Sequence, residues 1–261
     1  MIQELDIHLE SLESMKKYPS KLFYLGNKEL LNAKKISIVG SRKPNAYARE
    51  MTRVLVQRLT ALGIKIVSGG AIGIDAVAHK AAGAKNTIMV AATGVDKRYP
   101  AINKNLIAEI EQQGLVLSQF ALGSPSTKYN FVLRNELVVA LGDVLIVSYA
   151  DLNSGTMRSV EYAQKMGKKI YVLAHRIGES EATNRLLLEK KAEAIYDIDA
   201  FVALFADKEQ TPPSQAPLSQ FLLFCQANPT YEEGVSRFPK EIFEAELNGT
   251  IIVKDGKIYL A

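Results

Sequence analysis

The sequence predicts an α/β fold, in which a doubly wound, mostly parallel sheet lies between layers of helices and a small winged-helix-like domain follows. Short apolar runs rich in β-branched residues lack polar alternation, which is typical of strands buried on both faces. Amphipathic stretches with helical spacing separate these runs. Strands that alternate with helices favour a parallel sheet covered on both sides.

The predicted strands are bounded by glycine, serine or charged residues, and they recur through most of the chain. They are Ile36–Gly40, Ile64–Ser68, Thr87–Ala92, Leu115–Ser118, Val144–Ser148 and Lys169–Leu173. The predicted helices are Ala48–Leu62, Asp75–Ala82, Asn103–Gln113, a helix that includes Phe131, Ser154–Met166 and Ala182–Lys191. Since such sheets bind ligands beyond the carboxyl ends of their strands, we expect functional residues at the strand ends.

The composition divides the chain into four segments. Residues 1–34 are predicted to be a short N-terminal extension, and residues 35–207 form the α/β domain. Residues 208–217 contain three prolines and are predicted to be a linker. Residues 218–261 carry two helical patterns and then a hairpin signal at Asp255–Gly256, which suggests a winged-helix-like module.

Composition excludes several classes of protein. The net charge of +4 leaves room for a local basic patch without requiring a polyanionic partner. The single cysteine, Cys225, cannot form an internal disulfide, and we expect no metal site and no cofactor. The N-terminal residues lack a signal-peptide pattern, and no apolar run reaches the ~20 residues of a membrane helix. We therefore expect a cytoplasmic protein with no membrane segment.

The first predicted strand ends in Gly40, Ser41, Arg42 and Lys43. Glycine permits close approach of the backbone to a ligand, the following helix points its positive end at this turn, and Arg42 can bind a phosphate through two donors. This pattern predicts an anion site. The alternative is a tight turn with solvated surface cations.

The second and third strand ends carry weaker signals of the same kind. Ser68, Gly69 and Gly70 begin a loop with exposed amides, although Asp75 could instead cap the next helix. After the third strand, Lys97 and Arg98 add two cations, or form an ordinary charged loop.

Cations alternate with aromatic residues between Lys128 and Asn135. Lys128, Phe131 and Arg134 lie within seven residues, a pattern that suits a single nucleic-acid strand because cations contact phosphates and rings stack on bases. Alternatively, Phe131 is the first core residue of an amphipathic helix. Further along, Ser154 and Gly155 begin another helix, either as an anion pocket or as an ordinary cap.

The motifs IVGSRKPNAY, VSGGAIGIDAVAH, GVDKRYPAIN, FVLRNELVVALGD and SGTMRSVEYAQKMGKKIYVL occur in this order. Together they resemble the DNA-processing protein A (DprA/Smf) family, over roughly residues 34–175. The resemblance implies an extended Rossmann fold that binds single-stranded DNA, a homodimer that protects incoming DNA in natural transformation, and a role in loading the RecA recombinase. It implies no catalytic activity.

The resemblance also implies roles for individual residues. Arg42 and Lys128 would contact phosphate, and Phe131 would stack nearby. The other contacts would come from Gly40, Ser41, Ser68, Gly69, Gly70, Arg134 and Asn135. Lys43 and Lys97 join the predicted DNA-binding site as cations of the first and third strand-end loops.

The sequence departs from the family pattern at three places. Glu136 stands where a second arginine is common, and we expect it to face solvent or to pair with a cation. Ile72 replaces another common arginine. The N-terminal helical domain of some members is missing or vestigial.

Residues 218–261 contain six acidic and four basic side chains, a net charge of −2. Because phosphate contact needs the opposite sign, we expect this module to bind DNA weakly and to contact protein or support a dimer.

The alternative function is a nucleotide-binding enzyme or sensor of the phosphoribohydrolase type, with Asp75 as acid or base. Against it, His8, His79, His175 and Cys225 form no recognisable triad. A dinucleotide-dependent dehydrogenase is disfavoured because the G-x-G-x-x-G turn is absent from the sequence.

Overall fold

The structure is a computed structural model that describes residues 2–6, 8–206, 220–247 and 249–260. The chain divides into two units, Met1–Phe205 and Ala206–Ala261. The predicted linker at 208–217 lies outside the described residues.

The first unit is built on one large sheet. Its strands are β1 (Gln3–Glu4), β2 (Phe23–Gly26), β3 (Lys35–Val39), β4 (Lys65–Ser68), β5 (Thr87–Val90), β6 (Leu115–Ser118), β7 (Val144–Val147), β8 (Ile170–Leu173) and β9 (Glu193–Ile195). Their order across the sheet is β1-β2-β6-β5-β4-β3-β7-β8-β9. The strands from β3 to β9 pair in parallel, whereas β1 and β2 pair antiparallel at one edge. This sheet confirms the predicted Rossmann-like α/β class.

The direction of winding reverses next to β3. From β3 the chain proceeds through β4 and β5 to β6 on one side, and then returns to place β7 on the other side of β3. The connections after β3 and β7 therefore diverge. In doubly wound sheets this divergence opens a crevice at the carboxyl ends of the two strands, which is the usual ligand position.

Helices cover both faces of the sheet. They are α1 (Ala46–Ala61), α2 (Ile74–Ala82), α3 (Lys104–Gln113), α4 (Lys128–Leu141), α5 (Thr156–Lys165), α6 (Glu181–Leu188) and α7 (Ile198–Ala203). Buried side chains of α1, α2 and α7 share one core cluster with Ile36 and Ile38 of β3. Those of α4, α5 and α6 share another with Val39 and with β7. Alternate residues of β3 thus face opposite layers, as the absence of polar alternation predicts.

The N-terminal segment, predicted as a short extension, contributes strands to this sheet. Phe23 lies opposite Ser118, and Gly26 lies opposite Leu115, in an antiparallel ladder between β2 and β6. Leu12 and Leu22 are buried in the core cluster beneath α4. The segment is therefore packed as part of the first unit.

The second unit contains α8 (Gln220–Gln226), α9 (Tyr231–Arg237), α10 (Pro239–Leu247) and a hairpin of β10 (Ile251–Lys254) and β11 (Lys257–Leu260). The predicted hairpin turns at Asp255 and Gly256, both of which have positive φ. A cluster that includes Phe221, Cys225 and Ile258 forms the core. Helix α9 was not predicted from the sequence. The winged-helix assignment stays a prediction.

Among the helices that the structure describes, none combines the length and apolar composition that a bilayer crossing needs.

Candidate nucleic-acid interface

A cleft of about 560 Å³ lies at the crevice between β3 and β7. Four segments line it: the loop after β3, the loop after β4 with the start of α2, the first turns of α4, and the connection from β7 into α5. Eight of the predicted site residues are brought together here. They are Gly40, Ser41, Arg42, Lys43, Lys128, Phe131, Arg134 and Asn135.

The lining of this cleft is predominantly cationic. Five cations, Arg42, Lys43, Lys128, Arg134 and Arg158, stand against the carboxylates of Asp75 and Asp151. Arg158 is also paired with Glu161 (2.9 Å), which leaves an excess of two positive charges. Such an excess in a concave site raises the local concentration of anions.

The loop after β3 is rigidly held and exposes its cations. The backbone amide of Ser41 donates to the carbonyl of Tyr149 (2.8 Å), and the Ser41 hydroxyl accepts from the amide of Lys43 (3.1 Å). The Ser41 amide therefore already has a partner and is not free to bind a ligand. A Cβ on Gly40 would overlap Ile74, so this glycine permits packing of the loop against α2. Arg42 and Lys43 are exposed.

The loop after β4 begins with two buried residues, Gly69 and Gly70. Ser68 is fully buried, and its hydroxyl donates to the carbonyl of Ile38 (2.6 Å), so it offers no group to the surface. The carbonyl of Gly70 accepts from the side chain of Asn103 (3.0 Å). Gly69 lines a smaller pocket that adjoins the cleft beside Arg42 and Phe131. Ser68 and Gly70 line neither, and the predicted row of amides is not available to a ligand at these two residues.

Arg134 lies beneath the cleft rather than at its mouth. Arg134 is only 4% exposed. Its guanidinium donates hydrogen bonds to the carbonyl of Gly69 and to that of Val90 (2.9 Å). A Cβ on Gly69 would overlap this guanidinium. Arg134 was expected to complete the binding pocket. Its observed contacts fix the loop after β4 and place a charge under the floor of the cleft.

Two buried titratable groups accompany Arg134. Burial raises the pKa of the Asp75 carboxyl, and the charge of Arg134 opposes this shift. Burial, followed by the charge of Arg134, lowers the pKa of His79 to about 3, so that this fully buried ring is neutral. Burial likewise lowers the pKa of Arg134, and Asp75 opposes it. A guanidinium nevertheless keeps its proton in proteins.

Phe131 lies at the boundary between the core and the cleft. Its ring centroid is 5.4 Å from the Arg42 guanidinium carbon, 5.9 Å from that of Arg134 and 5.9 Å from the ring of Tyr99. Phe131 is half-buried. Lys128 begins the same helix and is exposed, and the Thr127 hydroxyl caps this helix by accepting from the amide of Asn130 (3.0 Å). The helix start thus presents a cation and a partly open ring to the cleft.

The cations of the third loop are used elsewhere. Lys97 donates to the carbonyl of Gly123 (2.5 Å), and Arg98 pairs with Glu111 of α3 (2.6 Å). Neither lines the cleft. Tyr99 does reach the site: it is 44% exposed and lines the smaller pocket with Phe131. At this loop, the residue of the sequence that marks the site is therefore Tyr99, which follows the two cations.

The expectation for Glu136 was wrong. Glu136 is only 7% exposed, and its carboxylate accepts a hydrogen bond from the backbone amide of Lys16 (2.8 Å). It faces the N-terminal segment instead of solvent, and no cationic side chain among the described residues forms an ion pair with it. The departure from the family pattern therefore places no carboxylate in the cleft.

The start of α5, for which the sequence left an anion pocket and an ordinary cap open, was not among the predicted DNA-binding residues. Ser154, Gly155, Thr156, Arg158 and Ser159 all line the cleft. The signal was the Ser-Gly-Thr turn after β7. In the described residues no group of three or more His, Cys, Asp or Glu side chains could hold a metal ion.

Most of the first unit matches a known protein family. The family model for DNA recombination-mediator protein A matches residues 6–206. Protein Smf of Synechocystis sp. is 33% identical over 192 residues, which cover 71% of this chain and 48% of that protein. DNA processing protein DprA of Streptococcus pneumoniae is 36% identical over 176 residues, 66% of this chain and 62% of that protein. The chain thus spans about half to two thirds of the length of these relatives.

Two solved structures share the fold. DNA processing protein A from Helicobacter pylori, studied for its single-stranded DNA binding mode, superposes with a TM-score of 0.76 at 38% identity, covering 78% of this chain and 94% of that one. The X-ray structure of DNA processing protein A from Streptococcus pneumoniae gives a TM-score of 0.72 at 31% identity, with 77% and 74% covered.

Proposed function

This chain belongs to the DNA recombination-mediator protein A family, and on that premise we propose that it binds single-stranded DNA in the cleft between β3 and β7. The observation that carries the proposal is the set of five cations around a partly open aromatic ring. Cations bind the phosphates with release of counterions, and the ring stacks on a base, so binding is strong in low salt and tolerant of sequence.

Arg42 and Phe131 have different roles in this binding. Arg42 is exposed and can offer two parallel donors to a phosphate. Phe131 lies within 5.4 Å of its guanidinium carbon, so a base stacked on the ring has its phosphate within reach of Arg42. Arg134 acts through position: it holds the loop after β4 and adds fixed positive charge below the ligand.

A salt titration tests the proposal. Arg42→Ala is expected to weaken binding of a labelled oligothymidylate and to reduce the slope of log affinity against log salt by about 0.7, because one phosphate contact is lost. Lys80→Ala is the matched control: it removes an exposed cation on α2, outside the cleft. Equal losses for the two variants would contradict a specific site.

The biological role of the protein is the wider part of the proposal. The chain protects incoming single strands in natural transformation, acts as a homodimer, and helps to load RecA; the support is family membership and the likeness to the Helicobacter pylori protein. The loading role is tested by the rate of RecA filament formation on coated single strands, with and without this protein. The homodimer is tested by the mass of this protein in solution. No acceleration would remove the loading role and leave DNA binding intact.

A nucleotide-binding enzyme or sensor is the competing function, and Asp75 is the observation that favours it. This carboxyl lines the cleft and burial raises its pKa. A mononucleotide that binds as tightly as an oligonucleotide would favour this alternative, whereas affinity that grows with oligonucleotide length supports DNA binding.

A further inference from the structure

The start of α5 carries three hydroxyl groups that make no hydrogen bond within the described residues, those of Ser154, Thr156 and Ser159. The Ser154 hydroxyl is itself buried without a partner. Thr156 is 8% exposed and Ser159 is 1% exposed, and both line the cleft, so their hydroxyls can reach a ligand there. Buried polar groups are nearly always paired, so the unpaired Ser154 hydroxyl at this helix start requires an explanation.

The backbone of the same turn adds two free donors. The amide of Ser154 donates to Asp151, that of Met157 to Ser154, and that of Arg158 to Gly155. The amides of Gly155 and Thr156 have no such partner among the described residues. Gly155 occupies the N-cap position and supplies no side-chain oxygen. An ordinary capping arrangement, the alternative left open by the sequence, is therefore not what this turn forms.

The unpaired groups define the chemistry of the missing partner. Backbone amides only donate, and hydroxyls can donate, so the partner is a group rich in acceptors. The N-terminal end of a helix favours negative charge, and Arg42 and Lys128 line the same cleft. A phosphate oxygen meets these requirements, whereas a base edge presents donors as well as acceptors. The exposed carboxylate of Asp151 also lines the cleft and disfavours anions on its side.

We propose that the start of α5 binds a phosphodiester of the bound strand through uncharged donors, namely the hydroxyls of Thr156 and Ser159 and the free amides of Gly155 and Thr156. This inference rests on the proposed function, since the strand enters the cleft through the cations. It assigns a second kind of phosphate contact to the site. The loop after β3 and α4 bind phosphate by charge. On α5, Arg158 is paired with Glu161 (2.9 Å), and the start of the helix binds phosphate through hydrogen bonds.

The two kinds of contact differ in their dependence on salt. A lysine or arginine that neutralises a phosphate releases counterions, so its removal changes the salt slope. A hydroxyl releases none. Removal of the α5 donors is therefore expected to lower affinity by a constant factor at every salt concentration.

The test is the double variant Thr156→Val with Ser159→Ala, titrated with labelled oligothymidylate at several salt concentrations. We expect affinity to fall about tenfold, as for lost hydrogen bonds to a charged group, with the salt slope of the wild type. The thermal midpoint should not fall, because the hydroxyls removed have no protein partner. Unchanged affinity, while Arg42→Ala behaves as proposed, overturns this inference alone. A wild type without salt-dependent binding overturns the proposed function and this inference with it.

A second variant guards against loss of folding. The Cβ of a substituted Gly155 would meet no atom within 4 Å, and aspartate is a favoured N-cap residue, so Gly155→Asp should keep or raise the thermal midpoint. Its carboxylate would repel a phosphate at this turn, and affinity should fall more than in the double variant. Gln112→Glu adds the same charge on the exposed part of α3, outside the cleft, and should bind normally. Equal binding by both charge variants overturns the inference.

Discussion

The loop after β3 and the loop after β4 carry similar sequence signals but lie in opposite environments. Each follows a buried strand and begins with glycine and serine residues before a helix. The first exposes Arg42 and Lys43 to the cleft. The second begins with the buried Gly69 and Gly70, whose carbonyl groups accept hydrogen bonds from Arg134 and Asn103. A glycine turn therefore indicates a close approach to the backbone, but the approaching group can be a side chain of the same protein.

The largest expected difference between the two regions is in stability. Arg134→Leu should lower the free energy of unfolding by about 3–5 kcal/mol, because it leaves the buried Asp75 without a compensating charge. Arg42→Ala should leave the free energy of unfolding unchanged within error, since this side chain is exposed. Urea denaturation measures both.

A coupled variant sharpens this result. Asp75→Asn should be less costly in the Arg134→Leu background than in the wild type, because the two charges are linked through burial. Additive effects of the two substitutions would show that Asp75 and Arg134 do not interact, and the account of the buried region would be incorrect.

Acid should destabilise the buried region specifically. The folded protein keeps His79 neutral down to about pH 3, whereas the unfolded chain takes up a proton near pH 6.5. Stability from this residue is therefore complete above pH 6.5 and is lost as the pH falls toward 3, by about 3 kcal/mol at pH 4. Denaturation at pH 7 and pH 4 should show a weaker pH dependence for His79→Leu. His8→Ala, which changes an exposed histidine, should retain the dependence of the wild type.

Substitutions in the exposed cleft should change DNA binding and not stability. Phe131→Ala is expected to weaken single-strand binding by about 1–3 kcal/mol if the ring stacks on a base. Tyr129→Ala is the control, because this neighbouring ring is 70% exposed and lines neither the cleft nor the smaller pocket. A loss of thermal stability with unchanged DNA affinity would assign Phe131 to the core.

The smallest effect should follow from removal of residues 218–261. Their net charge is −2, so we expect oligonucleotide affinity to change by no more than about twofold, since phosphate binding depends on cations. A loss as large as that of Arg42→Ala would show that the second unit takes part in binding.

The layers of helices and sheet and the position of the site were predictable from the sequence, but the contacts of every side chain were not. The parallel strands were recognisable because residues such as Ile36, Ile38 and Val39 are apolar on both faces. β2 and β9 were missed because they are short and lie at or near the edges of the sheet. In the second unit, the capping box of Thr230 and Glu233 begins α9, a helix that the sequence pattern did not predict.

Helix geometry explains the misassigned carboxylate. Glu136 follows Arg134 by two residues, which places it about 200° around α4, on the opposite side. That rotation was available from the sequence. Its partner, the amide of Lys16, was not, because the contact joins residues 120 positions apart. Likewise, no local pattern distinguishes Ser68, which binds Ile38, from a serine that faces a ligand.

The pairing of β2 with β6 has a practical consequence for truncation. The first apolar run that is recognisable as a strand begins at Lys35, and a shortened protein designed from the sequence would naturally start there. Such a version would leave one side of β6 with open backbone donors and acceptors along Leu115–Ser118, whose residues are all buried in the intact protein. An uncovered apolar edge strand recruits other chains, so shortened versions should aggregate unless they retain the segment that contains β2.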